Sequence, residues 1–329
     1  MNEFRKLFSK VAGIKVGVIG DVMLDSYVWG NVERISPEAP VPIVSLARKE
    51  NRIGGAGNVA LNCSSLGAEV FVLSVTGNDE DGNKLEALLR EKNIHTKYII
   101  RSSDRLTTSK TRIICRNQQM MRLDAEDIHD LRDEDDIHLL ESVRSFIATE
   151  KPDVLIFEDY NKGVLTEHVI REVITACKAA SIITAVDPKR KNFFAYKGVD
   201  IFKPNLKEVK DALNLLLEKV EEDELKQIHA ALKKNLQHHT SFITLSEKGV
   251  FYQQQEKGEI IASHIRNIAD VSGAGDTVIA VASLVYAATK DVRMMAEIAN
   301  IAGGLVCEEV GTVAIDREKL LAECELLLK

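Results

Sequence analysis

Asp270–Asp276 reads DVSGAGD and runs directly into the apolar stretch TVIAVASLVYAA. Gly273, Ala274 and Gly275 are too small to fill a core, but they let backbone come close to a ligand. The apolar run is expected to be a buried helix, so these three residues sit at its N-terminus. There, several N–H groups lack intrahelical partners and the helix dipole favours negative charge, which suits a phosphate. Asp276 falls in the first turn. It is poorly suited to ligating that anion but well placed as a base for a hydroxyl attacking it. The alternative is an ordinary helix start in which Asp276 only complements the dipole.

Gly54–Asn58 (GGAGN) opens a second expected helix, VALNCSSLG. It contains Gly55-x-Gly57-x-x-Ala60, the looser dinucleotide fingerprint, yet that fingerprint belongs directly after the first strand of its unit. Here the first strand ends at Gly20-Asp21 and another segment intervenes. The other reading is a glycine turn whose backbone, with the Asn58 side chain, contacts a polyhydroxylated ligand. Asp21 and Asp25, in GDVMLD, lie at the C-terminal end of that first strand, where open α/β sheets place their ligands. Each could hold sugar hydroxyls or simply cap a turn. Asn205 and Glu208, in PNLKE, share one face of a starting helix and could contact phosphate and Mg2+. They would equally make a capping-box pair. Among the basic residues, Arg112, Arg116 and Arg122 fall in one strand-like region. Lys162 stands out because it follows a buried strand and precedes the turn glycine of DYNKG.

The 329 residues suit two domains or one large α/β unit. A net charge of −7, with 43 basic and 50 acidic residues, argues against a nucleic-acid or anionic-membrane binder. It leaves room for a local basic pocket. The longest nearly uncharged apolar stretch, Thr277–Ala288, is far short of the ~20 residues that a membrane span needs. Lys15 interrupts the apolar part of the N-terminus, and no small-x-small cleavage site follows, so no signal peptide is expected. The five cysteines are scattered without a CxxC, which points to reduced thiols and a cytoplasmic setting. No GxxxxGK[ST] loop is present, which excludes a P-loop enzyme. The histidines have no metal-ligand spacing, and His238-His239 is expected at the surface.

The elements that must position these residues alternate. Lys15–Gly20, Val70–Val75, Asp153–Phe157, Ile182–Val186, Ile201–Lys203 and Phe242–Leu245 read as buried strands. Asn58–Leu66, Gly82–Lys92, Glu134–Thr149, Thr166–Ala179 and Asp223–Asn235 carry apolar residues at helical spacing. This rhythm predicts an α/β fold with a mostly parallel sheet covered on both faces. Pro37–Ala47 and Tyr98–Asp124 break it, and they suit antiparallel strands with one wet face. They are expected to form a small β-sheet lid, from insertions at about 22–50 and 97–124 within a single domain spanning 1–329.

Taken together, GGAGN near the front and DVSGAGD near the back resemble the two signatures of the ribokinase-like (PfkB-type) carbohydrate kinase family. The likeness extends over nearly the whole chain. It implies a three-layer sandwich with a central parallel sheet, ATP and Mg2+ as cofactors, and a sugar phosphate as second substrate; separately, an open lid sheet often pairs with its copy, so a homodimer through the lid is expected. Asp276 would be the base, and Gly273–Gly275 the anion hole. Asn205, Leu206, Lys207 and Glu208 match the ATP and Mg2+ segment, with Glu208 nearest the metal. Thr244, Ser246 and Gly249 of TLSEKG, with Asn300, would line the nucleotide. Asp21, Gly54, Gly55 and Asn58 would hold the sugar, while Lys162 and a lid arginine such as Arg112 would take its phosphate. Asp270 and Ser272 would border a monovalent cation.

RISPEAPVP, RNQQMMRLD, EDYNKG, DPK and KPNLKE are further similar to the branch of the family that phosphorylates D-glycero-β-D-manno-heptose 7-phosphate at its anomeric hydroxyl, in ADP-heptose synthesis. That branch also occurs fused to a nucleotidyltransferase carrying HxGH. No HxGH stands in this sequence, so only the kinase step is expected. Three positions depart from the pattern: Ser272 for Thr, Gly57 for Ala, and Asn161 for Ala, none of them a reacting group. The competing expectations are a kinase for ribose, fructose or a fructose phosphate, a non-catalytic sugar-phosphate sensor, and a dinucleotide oxidoreductase.

Overall fold

The computed structural model describes residues 3–116, 118–216 and 221–328. Asn117, inside the expected lid segment, lies outside the described residues. The elements run α1 (Glu3–Val11), β1 (Lys15–Gly20), β2 (Val22–Ile35), β3 (Pro42–Gly55), α2 (Ala56–Ser65), β4 (Glu69–Gly77), α3 (Glu80–Glu91), β5 (Ile94–Ser102), β6 (Ser109–Cys115) and β7 (Gln118–Ala125). Then follow α4 (Asp133–Glu150), β8 (Val154–Glu158), α5 (Glu167–Ala179), β9 (Ile183–Asp187), β10 (Ile201–Phe202), α6 (Leu206–Leu213), α7 (Glu222–Leu236) and β11 (Thr240–Thr244). The chain closes with β12 (Val250–Gln254), β13 (Lys257–Ile261), α8 (Ala274–Thr289), α9 (Val292–Val306) and α10 (Arg317–Leu327).

Nine strands form the large sheet in the order β13-β12-β11-β10-β9-β8-β1-β4-β5. It is parallel from β11 to β5, with β12 and β13 added antiparallel at one edge. Period-two alternation divides each central strand between two cores. Val16 and Val18 of β1, Val70 and Val72 of β4, and Val154 and Ile156 of β8 pack with α1, α2, α3, α8, α9 and α10. Ile19, Phe71, Leu73, Leu155 and Phe157 face the other side, with α4, α5 and α7. Burying each such side chain contributes about 1.5–3 kcal/mol. Helices on both faces therefore make the three layers, and the strands' C-terminal ends open along one rim.

The smaller sheet has the order β3-β2-β6-β7. It departs from the expected lid in two respects. The segment at 94–102 is β5, parallel to β4 at the edge of the large sheet, so the second lid insertion begins at Ser109 rather than near 97. The first insertion extends to Gly55, because GDVMLD is the start of a 14-residue strand, not a turn. Pro37 and Pro40 lie in the connection between β2 and β3, where their missing N–H groups cost no ladder bond. His238 also departs from expectation: it is fully buried, with Nε2 2.6 Å from Ser241 Oγ. Among the described residues, no helix is long and apolar enough to cross a membrane.

Candidate active site

Two helix N-termini meet at the rim. Gly273 is the N-cap of α8 and Gly55 that of α2, and neither helix start carries a side-chain cap. Gly273 adopts φ 78°, a conformation that excludes most side chains. Asn58, in the first turn of α2, donates from Nδ2 to Asp276 Oδ2 at 2.7 Å. Asn62, one turn on, donates to the Asn58 carbonyl and accepts from Thr277 Oγ1, which locks the two helices together. Asn58 and Asp276, 218 residues apart in the chain, thus make GGAGN and DVSGAGD one structural unit.

Asp276 is buried, and its second oxygen accepts from the Tyr160 hydroxyl at 2.8 Å. Burial pushes its carboxyl up to about 6, against the lowering effect of the Asn58 and Tyr160 hydrogen bonds. A base of that strength is mostly ionised at neutral pH yet binds a proton more readily than a surface aspartate. Tyr160 has its own acidity suppressed, first by burial and then by Asp276 and Glu158. It therefore stays a hydrogen-bond donor.

Beneath Asp276, β8 and β9 end in acids that pair in register, Glu158 with Asp187. Strand parity turns both toward α8. Carboxylate oxygens of Glu158, Asp187 and Asp276 lie within 4.8 Å of one another. Two lysines offset this charge. Lys203 Nζ is 2.8 Å from Asp187 Oδ2, and Lys189 Nζ is 3.2 Å from Asp187 Oδ1 and 2.9 Å from Glu208 Oε1. Despite burial, the two ammoniums hold Asp187 below the ordinary carboxylate value. Glu158 feels both lysines only at a distance: burial, then Asp187 and Asp276, push it well up against their lowering effect, and neither of its oxygens has a hydrogen-bond partner.

On the side expected to face the nucleotide, Asn205 caps α6 by accepting from Glu208 N–H at 2.8 Å, while Glu208 Oε2 accepts from Asn205 N–H at 2.7 Å. The capping box is therefore real, and Lys189 takes the other Glu208 oxygen. Leu206 packs partly against the core, whereas Lys207 is exposed. Asn205 bridges to Thr244, which sets PNLKE beside TLSEKG. Ser246 is exposed, and buried Gly249 turns at φ 97°, where a Cβ would lie 2.0 Å from the Ile261 carbonyl oxygen. Asn300 on α9 donates to the Ala262 carbonyl and so fastens the chain leaving β13. Asp270 accepts from Ser272 N–H and Oγ and from Gly311 N–H. Burial opposes, but these bonds hold its carboxyl below the usual range and stiffen the loop before α8.

On the side expected to face the sugar, Asp21 accepts three backbone N–H groups, from Tyr160, Lys162 and Val164. It thereby positions the whole DYNKG loop. Gly54 lies against Asp25, where a Cβ would sit 2.3 Å from Oδ2, and Asp25 in turn pairs with Arg112 across the lid. Lys162 Nζ is 2.7 Å from Glu126 Oε2, just past the end of β7. The Tyr160 ring stands between Lys189 on the rim and Lys110 of the lid, at 5.6 and 6.0 Å.

Glu158, Tyr160, Asp187, Lys189 and Lys203 carry no role from the sequence, although EDYNKG, DPK and KPNLKE contain all five. The available signal was parity: each of the two acids continues the α8-facing side of its strand.

Comparison with known proteins adds three findings. A sequence-family profile described as pfkB family carbohydrate kinase matches residues 14–319. The bifunctional protein HldE of Geotalea uraniireducens is 38% identical over 324 residues, covering 98% of this chain and 65% of that protein. HldE of Sulfurimonas denitrificans is 38% identical over 301 residues, covering 92% and 62%. The chain therefore spans a little under two thirds of the length of these curated relatives. Among solved structures, Escherichia coli phosphofructokinase-2 in complex with potassium superposes with a TM-score of 0.76 at 18% identity, covering 95% of this chain and 99% of that one. Arabidopsis thaliana ribokinase complexed with ribose and ATP gives 0.72 at 19%, covering 94% and 99%. At such identities the structures speak for the fold alone.

Proposed function

The chain belongs to the pfkB family of carbohydrate kinases and is an ATP-dependent sugar kinase, and on that premise we propose that it phosphorylates the anomeric hydroxyl of D-glycero-β-D-manno-heptose 7-phosphate, as the kinase step of ADP-heptose synthesis in the cytoplasm. The observation that carries this reading is the loop fixed by Asp21. It lays Tyr160 on the base Asp276 and, two residues later, presents Lys162 as a partly buried cation. An acceptor that offers a hydroxyl to one and an anion to the other is a sugar phosphate. Its phosphate takes the place of Glu126 on Lys162, with Arg112 on the lid as a second cation. The likeness of the curated relatives over nearly the whole chain supports the same substrate branch.

In this reading the hydroxyl proton passes to Asp276 as the oxygen attacks the γ-phosphorus and ADP departs. The N–H groups of Gly273–Gly275 and the ammoniums of Lys189 and Lys203 stabilise charge on the equatorial oxygens, the main work in such transfers. ATP would be held by Asn205, Thr244, Ser246, Gly249 and Asn300, and Glu208 would offer its carboxylate to the accompanying magnesium, which would supply charge stabilisation on the phosphates. A monovalent cation belongs beside the Asp270–Ser272 turn.

The test is ADP release with MgATP across heptose 7-phosphate, fructose 6-phosphate, fructose and ribose, with the product's phosphorus position assigned by NMR. A 1,7-bisphosphate is expected; turnover confined to another sugar rejects the heptose assignment. In Lys162→Ala, the KM for the sugar phosphate should rise roughly tenfold or more, the loss of one charge-assisted contact of about 1.5–3 kcal/mol. The KM for ATP should stay nearly unchanged, and the reverse split removes Lys162 from the acceptor site.

A second copy covering the lid completes the reading. Leu46, Met121 and Leu123 are each half-exposed or more on its strands. Isolated apolar residues are ordinary at a surface, but several on one small sheet suit a partner. Met121→Asp is expected to convert a dimer to a monomer in light scattering. A wild-type protein that is monomeric at assay concentration rejects the pairing.

A further inference from the structure

Arg105 stands against the same loop as Tyr160 and Lys162, with its charge unanswered. It lies in the connection from β5 to β6, which is pinned in place. Thr107 N–H donates to Asp79 Oδ2 at 2.8 Å, Gly77 N–H to Thr107 Oγ1 at 2.9 Å, and Leu24 N–H to the Thr108 carbonyl at 2.9 Å. From there Arg105 Nη2 donates to the Lys162 carbonyl, in the loop that carries Tyr160 to Asp276. It is also near enough to Asp21 to lower that carboxyl, which burial raises and three backbone N–H groups lower as well. Yet its Nε is buried without a hydrogen-bond partner, and among the described residues no carboxylate lies in ion-pair range of it. A bond to a neutral carbonyl leaves the charge uncancelled. A guanidinium drawn out of water in this way is costly unless an anion meets it.

Its neighbours are differently placed. Lys162 Nζ is held by Glu126 Oε2 at 2.7 Å, Arg112 by Asp25, and Lys189 and Lys203 by Asp187. An incoming anion must break an ion pair to reach any of these, and freeing Arg112 leaves the buried Asp25 unpaired. At Arg105 nothing is displaced. The acids of the cavity that Arg105 borders do not claim it: Asp104, Asp130 and Asp135 are taken by Arg132, Lys191 and the Ser102 hydroxyl.

We propose that Arg105 is the first anchor for the anionic end of the acceptor, a phosphate monoester carried on the sugar, and that Lys162 joins it as Glu126 is displaced. The planar guanidinium fork suits two phosphate oxygens at once. The proposal rests on the reading of this cleft as a sugar-phosphate site, but not on which sugar fills it.

The experiment compares kcat/KM for a phosphorylated acceptor with that for the same sugar lacking the phosphate. The pairs are heptose 7-phosphate with heptose and fructose 6-phosphate with fructose, whichever is turned over. Wild type should strongly favour the phosphorylated member. Arg105→Gln, at a melting temperature near that of wild type, should cut this preference by roughly tenfold or more, the loss of one charge-assisted contact. The cut should persist in the Lys162→Ala background. Arg105→Lys can still donate to the Lys162 carbonyl and covers a glutamine variant that fails to fold. It should lose the preference several-fold, because one ammonium cannot grip two oxygens in a plane. A preference unchanged in either variant, or a cut that vanishes once Lys162 is gone, overturns the proposal and leaves Arg105 a support for the loop. A wild type indifferent to the phosphate overturns the sugar-phosphate reading itself, and the anchor with it.

Discussion

Asp276→Asn should lower kcat by about 10²–10⁴-fold, the usual contribution of a positioned general base. That range corresponds to roughly 2.7–5.5 kcal/mol of transition-state stabilisation. Folding should survive, because the change removes a buried charge and preserves volume. Tyr160 can still donate to the remaining oxygen, and the new amide meets the Asn58 Nδ2 donor, which can be relieved by an amide turn of one partner. ATP affinity by equilibrium binding should hold or improve, since one negative charge beside the phosphates disappears. Activity within tenfold of wild type, with folding intact, removes Asp276 from the role of base.

The same variant settles the pH dependence. Asp276 must be ionised to accept a proton, and burial sets its pKa at about 6. The wild-type kcat/KM for the sugar should therefore be flat above pH 7 and fall with unit slope below about 6. A second acid has the same value: Asp159 is pushed up to about 6, first by burial and then by Asp21. Asp159 is spent on Asn161 N–H and the Tyr196 hydroxyl, and it makes no contact with Asp276. The residual activity of Asp276→Asn should lack the acid limb. A limb that persists there belongs to Glu158 or Asp159, to the substrate phosphate, whose second ionisation falls at about 6, or to folding, and not to the base.

Which parts of this site were legible in the sequence follows from the range over which each signal acts. Lys15–Gly20 is recovered as β1 without change, and Thr166–Ala179 as α5 with its N-cap, because apolar periodicity and capping are local. DVSGAGD is legible for the same reason: glycine next to an apolar helix says that backbone is exposed for a ligand. The first lid segment reads too short in the sequence because GDVMLD looks like a strand end, while the pairing of Val22–Asp25 with Arg52–Gly55 lies across a hairpin of 14-residue strands. Tyr98 reads as lid because a wet-faced strand looks the same at a sheet edge as in a separate sheet. Glu158 and Asp187 are legible only as acids of EDYNKG and DPK that continue one face of their strands, and their meeting is not. Each is a single acid after an apolar strand, and they meet only through the register of β8 on β9. The roles of Lys162 and Glu208 depend on partners far away or on competing local bonds. Glu126 and the capping box decide what those side chains do at rest.

The second large effect separates a glycine needed for conformation from one needed for approach. Gly273 sits at φ 78°, where an added Cβ would lie 2.9 Å from Asn58 Nδ2 and 3.1 Å from Thr312 Cγ2. Gly273→Ala should thus cost about 1–2 kcal/mol for the left-handed backbone and push away the amide that holds Asp276. Lower stability and lower activity are both expected, and the two are hard to divide. Gly275 is different. It lies within α8, and its Cβ would stand 3.6 Å from Asp187 Oδ2 and 3.8 Å from Lys203 Nζ, ordinary contact distances. Gly275→Ala should leave stability unchanged or raise it by about 0.5–1 kcal/mol, as glycine removal from a helix does. Yet the methyl would occupy the space between the helix N–H groups and Lys203, where the transferring phosphoryl group must sit. Losing that close approach should lower kcat by about 10²–10³-fold, the size seen when one oxyanion donor is removed. The measurement is kcat together with the melting temperature of each variant. A Gly275→Ala enzyme that is stable and slow fixes the phosphoryl group against α8; one that is stable and fast moves it elsewhere and leaves Gly273 a purely conformational residue.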